Sequence, residues 1–131
     1  MTKKSWPKDF PSDVIVPPDY ATELNMQLFR FVSKVSPDAQ DFLPTYKDPE
    51  QKSRWRNKKN QLEPCFYGTS FYETAEHLDN LLAAFPERFK LKKIAKGQIS
   101  PEHGKGAPTR SEGHVSVWFY DGVYPEGFQV L

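Results

Sequence analysis

The groups in this chain that could do chemistry are three histidines, one cysteine and a handful of carboxylates near Gly-rich turns. His103 and His114 flank a stretch with almost no apolar residues. Histidine titrates near neutral pH, so either could form an acid–base pair with Glu102 or Glu112. His77 falls on a separate apolar-periodic segment, and the three histidines lack the short spacings of a zinc or iron site, so no metal is expected. Cys65 lies between Pro64 and Phe66 in an apolar run and reads as an inert core thiol. There is no Walker-type phosphate loop, no Gly-x-Ser-x-Gly elbow and no paired-carboxylate motif. Their absence favours a protein that is not an enzyme and that needs no cofactor.

Tyr67-Gly68-Thr69-Ser70 is the motif that could hold a ligand. Glycine lets the backbone approach closely, and free N–H groups at a following helix would favour a phosphate. Ser70 with Glu73 also has the Ser-x-x-Glu spacing of a capping box, which accounts for the same residues structurally. The tetrapeptide resembles the first motif of ADP-ribosyltransferase folds, in which a short strand ends in a His-Gly-Thr or Arg-Gly-Thr step that helps to hold NAD. Tyr67 stands where that family has its His or Arg, and the family's aromatic-rich middle motif has no counterpart here. The resemblance implies an NAD- or nucleotide-binding enzyme, with Glu126, just before the last strand, as the candidate for the catalytic glutamate.

Two further clusters could bind macromolecules. Lys52, Arg54, Arg56, Lys58 and Lys59 surround Trp55, an arrangement that could grip the phosphates of single-stranded nucleic acid while the indole stacks on a base. Outside that segment acidic residues outnumber basic ones, so a solvated loop anchored by a buried Trp55 explains it as well. Trp118, Tyr120 and the nearby Tyr124 form an aromatic patch of the kind enriched at protein interfaces.

The elements that must position these groups follow from periodicity. Prolines 7, 11, 17 and 18 make residues 1–18 an extended arm, with a short edge strand at Val14–Val16 and with Trp6 and Phe10 holding it down. Leu24, Leu28, Phe31, Val32 and Val35 form one stripe at helical spacing, predicting a first helix that Ser36-Pro37 ends. Pro64–Tyr67 reads as a short buried strand, and Phe71, Ala75, Leu78, Leu82 and Phe85 predict a second helix stopped by Pro86. Phe89–Lys96 predicts an edge strand, residues 100–113 a long flexible loop, and His114–Tyr120 and Phe128–Leu131 two paired strands.

Eighteen basic and seventeen acidic residues give a net charge of +1, which removes any global electrostatic case for nucleic acid or acidic membranes. No apolar run approaches the roughly 18 residues of a membrane span. One cysteine and no apolar leader point to the cytoplasm. The 131 residues make a single domain by size. The expected fold is α+β: a small, mostly antiparallel sheet of four to five short strands, two main helices on one face, and the Pro-rich arm across it. The expected function is a non-enzymatic protein-binding or regulatory module that docks another protein on Trp118, Tyr120, Tyr124 and the 100–113 loop. Nucleotide binding at Tyr67–Ser70 and nucleic-acid binding at Trp55 stand as alternatives.

Overall fold

The computed structural model describes residues 4–131, so the first three residues of the expected arm lie outside the described residues. Seven antiparallel strands form one sheet: β1 (Thr22–Glu23), β2 (Met26–Val32), β3 (Thr69–Tyr72), β4 (Lys93–Ile99), β5 (Gly104–Pro108), β6 (His114–Phe119) and β7 (Gln129–Val130), in the order β1-β5-β6-β3-β2-β4-β7. The α+β class and the antiparallel sheet are as expected, with more strands than four or five. The two strands expected at the end of the chain are present as β6 and β7 but do not pair with each other: β6 lies between β5 and β3, and β7 pairs with β4, which is therefore flanked on both sides rather than an edge strand.

Several expected elements differ. The stripe read as a first helix contains β2: Leu28 and Val32, four residues apart, fall on one side of a strand as well as of a helix, and β4 pairs with all seven residues of β2. The loop 100–113 contains β5, whose glycines fit tightly beside β6: a Cβ on Gly104 or Gly106 would meet a main-chain oxygen of Trp118 or Ser116 at 2.0 or 2.8 Å. Pro64–Tyr67 is a 3-10 turn, and Val14–Val16 is not a strand. In place of two main helices there is one, α3 (Ala75–Ala84), with three single-turn helices, α1 (Lys52–Trp55), α2 (Lys58–Gln61) and α4 (Pro86–Phe89). Thr74, not Ser70, caps α3, its hydroxyl accepting from the His77 N–H.

Both faces of the sheet carry a core. On one, Leu28, Val32, Phe71, Ala95, Ile99, Val115 and Val117 pack with Phe42 and Phe128. On the other, Trp118 and Ala107 pack with Ala21, Phe66 and Tyr67, and the arm adds Trp6 and Phe10. In the middle the sheet is weakly joined. β2 and β3 share a single register pair, Phe29–Tyr72. Beside that pair the Arg30 side chain replaces the missing ladder, its Nη1 donating to the Ser70 carbonyl at 2.7 Å and its Nε to the Asp41 carbonyl at 2.8 Å. No helix of the described residues is long and apolar enough to cross a membrane.

Candidate functional site

The opening beside this seam is a cleft of about 430 Å³ lined by four arginines, Arg30, Arg54, Arg88 and Arg110, together with Lys92, Tyr72 and His114. The arginines come from β2, α1, α4 and the β5–β6 connection, so only the folded chain assembles them. Among the described residues none of the four has a carboxylate within 4.0 Å, whereas Lys92 pairs with Glu50 at 2.5 Å. Burial works against the charge of Arg30 and lowers its pKa from the ordinary guanidinium value, with Asp48 and Asp41 opposing; guanidinium stays protonated at any physiological pH. Burial also lowers the pKa of Arg54, as do the neighbouring Arg110 and Arg88. The cleft is therefore a set of cations facing one another with too few counter-charges.

Tyr72 sits among them. Burial raises its hydroxyl above the ordinary 10.0 even though Arg110, Arg30, Arg88 and Arg54 all pull the other way, so at neutral pH it is a neutral hydrogen-bond donor. Its ring packs edge-on against His114, with centroids 5.1 Å apart, and lies 6.2 Å from His77. Phe31 and Phe89, stacked at 4.5 Å, and Leu81 supply an apolar wall, while Thr45, Asp48 and Glu50 form a polar one. Asp41, beneath Arg30, is buried. Its Oδ1 accepts from the Ser33 N–H at 2.7 Å, and its Oδ2 is the only buried side-chain polar atom among the described residues without a partner.

The expected site residues are divided among three places. Of Tyr67–Ser70, only Ser70 lines the arginine cleft. Tyr67 is buried, its hydroxyl donating to the Gln61 carbonyl at 2.6 Å, and the buried Thr69 hydroxyl donates to the Phe42 carbonyl at 2.9 Å. Gly68 runs beside the Trp118 indole, 3.1 Å from where a Cβ would stand. His103 and Glu126 both line a separate cavity of about 690 Å³ with Glu102, Tyr120, Asp121 and Tyr124. His114 does not join them, because it opens into the arginine cleft. The long-loop histidines therefore do not form one pair.

The aromatic docking patch is corrected most sharply. Trp118 is 0 % exposed, and its indole N–H donates to the Pro64 carbonyl at 2.9 Å. Tyr120 is half-buried under Trp6, ring centroids 4.5 Å apart, and Tyr124 packs near Phe42 at 6.1 Å. The cover comes from the arm, the 64–67 turn, Tyr46 and Trp55 at the end of the single-turn helix α1. Trp55 is likewise no free stacking platform: its indole donates to the Thr45 carbonyl at 2.7 Å and packs toward the Trp118 core. Arg56, Lys58 and Lys59 remain exposed, while Arg54 turns into the cleft.

Sequence reasoning missed Arg30, Arg88 and Arg110. A signal for Arg30 exists, since one arginine in Leu28-Phe29-Arg30-Phe31-Val32 is a charge that any apolar element must accommodate. Arg88 and Arg110 carry no such mark. Among the described residues no group of three or more His, Cys, Asp or Glu side chains could hold a metal ion. No protein-family model, curated protein or solved structure matches this chain, so the functional reading rests on the geometry of the cleft.

Proposed function

We propose that this protein binds a phosphate-bearing nucleotide in the arginine cleft, with a dinucleotide such as NAD as the leading ligand. The observation that carries the reading is Arg30, a desolvated guanidinium without a carboxylate partner, fixed by two main-chain carbonyls and flanked by three more unpaired arginines. Like charges brought together around the partly buried Arg30 and Arg54 are unfavourable until an anion enters, and guanidinium forks match phosphate oxygens two at a time. Two of the five N–H donors of Arg30 are used by the carbonyls, which leaves three for a ligand.

The remaining walls suit the rest of a nucleotide. Tyr72, Phe31, Phe89 and Leu81 offer flat apolar surface to a base, and Asp48 and Glu50 offer acceptors to ribose hydroxyls. Ser70, the last residue of the tetrapeptide that resembles the ADP-ribosyltransferase motif, lines the same cleft, and Arg30 on the adjacent strand supplies the cation that Tyr67 does not.

Isothermal titration with NAD, ADP-ribose, ADP, AMP and adenosine tests this. Affinity should rise with phosphate number, adenosine should be the weakest, and Arg110→Gln, at an exposed position without an ion-pair partner, should weaken ADP-ribose by about 1.5–3 kcal/mol, roughly 10- to 150-fold. Absence of binding by every phosphate-bearing compound at millimolar concentration would overturn the reading.

A further inference from the structure

We infer that His114 is the general base of the cleft and that the protein hydrolyses a phosphoanhydride bond of the nucleotide held there, an inference that rests on the nucleotide reading above. His114 opens β6 and lies opposite Tyr72 in the β3–β6 register, which places its ring on the cleft wall with the Tyr72 ring against one edge. The imidazole is locked on its other side. Nδ1 is 3.2 Å from the Thr109 carbonyl and 3.0 Å from the Thr109 hydroxyl. A carbonyl only accepts, so Nδ1 carries the hydrogen. The Thr109 hydroxyl is in turn 2.7 Å from the Ser116 hydroxyl, which gives its own proton a destination.

The consequence is a lone pair on Nε2. That nitrogen makes no hydrogen bond within the described residues, and it is not among the buried unpartnered atoms, of which Asp41 Oδ2 is the single case. An imidazole with a fixed tautomer and a free nitrogen open to a ligand cleft is the arrangement a general base requires. Burial, together with the charge of Arg110, holds the ring neutral by lowering its pKa from 6.5, against a smaller opposing effect of the Thr109 carbonyl. The lone pair is thus present at neutral pH.

The step balances without a further reagent. Nε2 takes a proton from a water molecule as the water oxygen bonds to phosphorus. The bridging P–O bond breaks, and its electron pair leaves on the departing phosphate, whose negative charge the arginines receive. A phosphate leaving group needs no proton from an acid. The imidazolium then loses its proton to solvent, and ADP-ribose plus water gives AMP and ribose 5-phosphate.

The test uses ADP-ribose as probe, chromatography of released AMP for turnover and titration calorimetry for binding. In His114→Asn the amide can still donate to the Thr109 carbonyl while the Nε2 base is gone, so ADP-ribose affinity should stay within about twofold of wild type as AMP release falls about 10²- to 10⁴-fold. In wild type, long-range ¹⁵N correlation at pH 7 should show the His114 ring with hydrogen on Nδ1 and a bare Nε2, a signature independent of whether the variant folds. Binding of ADP-ribose by wild type without AMP release overturns the hydrolytic inference and leaves the nucleotide reading standing, and absence of binding overturns both. Undiminished turnover in His114→Asn, or hydrogen on Nε2 in wild type, overturns the role of His114.

Discussion

Arg30 and His114 show how main-chain carbonyls can set the chemistry of a charged or titratable side chain. Two carbonyls accept from the Arg30 guanidinium, and in the inferred tautomer of His114 the Thr109 carbonyl accepts from Nδ1, which leaves another part of each group for the cleft. His114 also couples the site to stability. Burial lowers the pKa of both His103 and His114 below the ordinary 6.5. Below that value the unfolded chain takes up protons that the folded chain resists, so the unfolded state binds more protons and stability falls as pH falls. Urea unfolding should therefore give full stability well above pH 6.5 and a decline as pH falls below about 6.5, a slope that the double variant His103→Gln with His114→Asn should flatten. The lowered carboxyls of Asp9 and Asp38 act only below their ordinary 3.8, outside that window.

At the scale of elements, β4 shows how closely one residue can specify a pairing. A Cβ added to Gly97 would lie 2.2 Å from the Phe128 ring, so this strand has no side chain at the one place where the segment before β7 folds over it. Gly97→Ala should displace Phe128 and cost about 1–3 kcal/mol, read as a fall in Tm of roughly 5–15 °C by circular dichroism. An unchanged Tm would mean that the Phe128 ring moves aside freely.

What was legible at this scale followed the strength of the local pattern. β6 and α3 are readable because Val115 and Val117 alternate over a full strand and Leu78 and Leu82 repeat over a full helix. β2 is not, because Leu24, Leu28, Phe31, Val32 and Val35 satisfy a helical stripe equally well and only the distant partner strand β4 decides between them. β5 hides for a different reason. Gly104-Lys105-Gly106-Ala107-Pro108 has a loop composition, yet its small residues are what lets β1, Leu24 and the β6 main chain approach so closely.

At the scale of the whole molecule, the two cores on opposite faces explain why the tetrapeptide could be found from sequence and the arginine cleft could not. Tyr67–Ser70 is contiguous, whereas the cleft draws Arg30, Arg54, Arg88 and Arg110 from four elements whose arrangement only the sheet order fixes. The same order makes Trp118 the meeting point of the arm, the 64–67 turn and β6. Trp118→Ala should cost about 3–5 kcal/mol in chemical denaturation, a large share of the 5–15 kcal/mol typical of a whole domain. A cost below 1 kcal/mol would show that the arm contributes no rigid cover.

One feature of the sheet ties its recognition chemistry to its cohesion. The guanidinium that would greet an incoming anion is also the fastener across the gap between β2 and β3, and two carbonyls depend on it. Substitutions that abolish recognition at Arg30 should therefore also loosen the fold. A descendant that lost its ligand could discard Arg88 or Arg110 at little cost, yet would remain under pressure to keep Arg30 as a rivet.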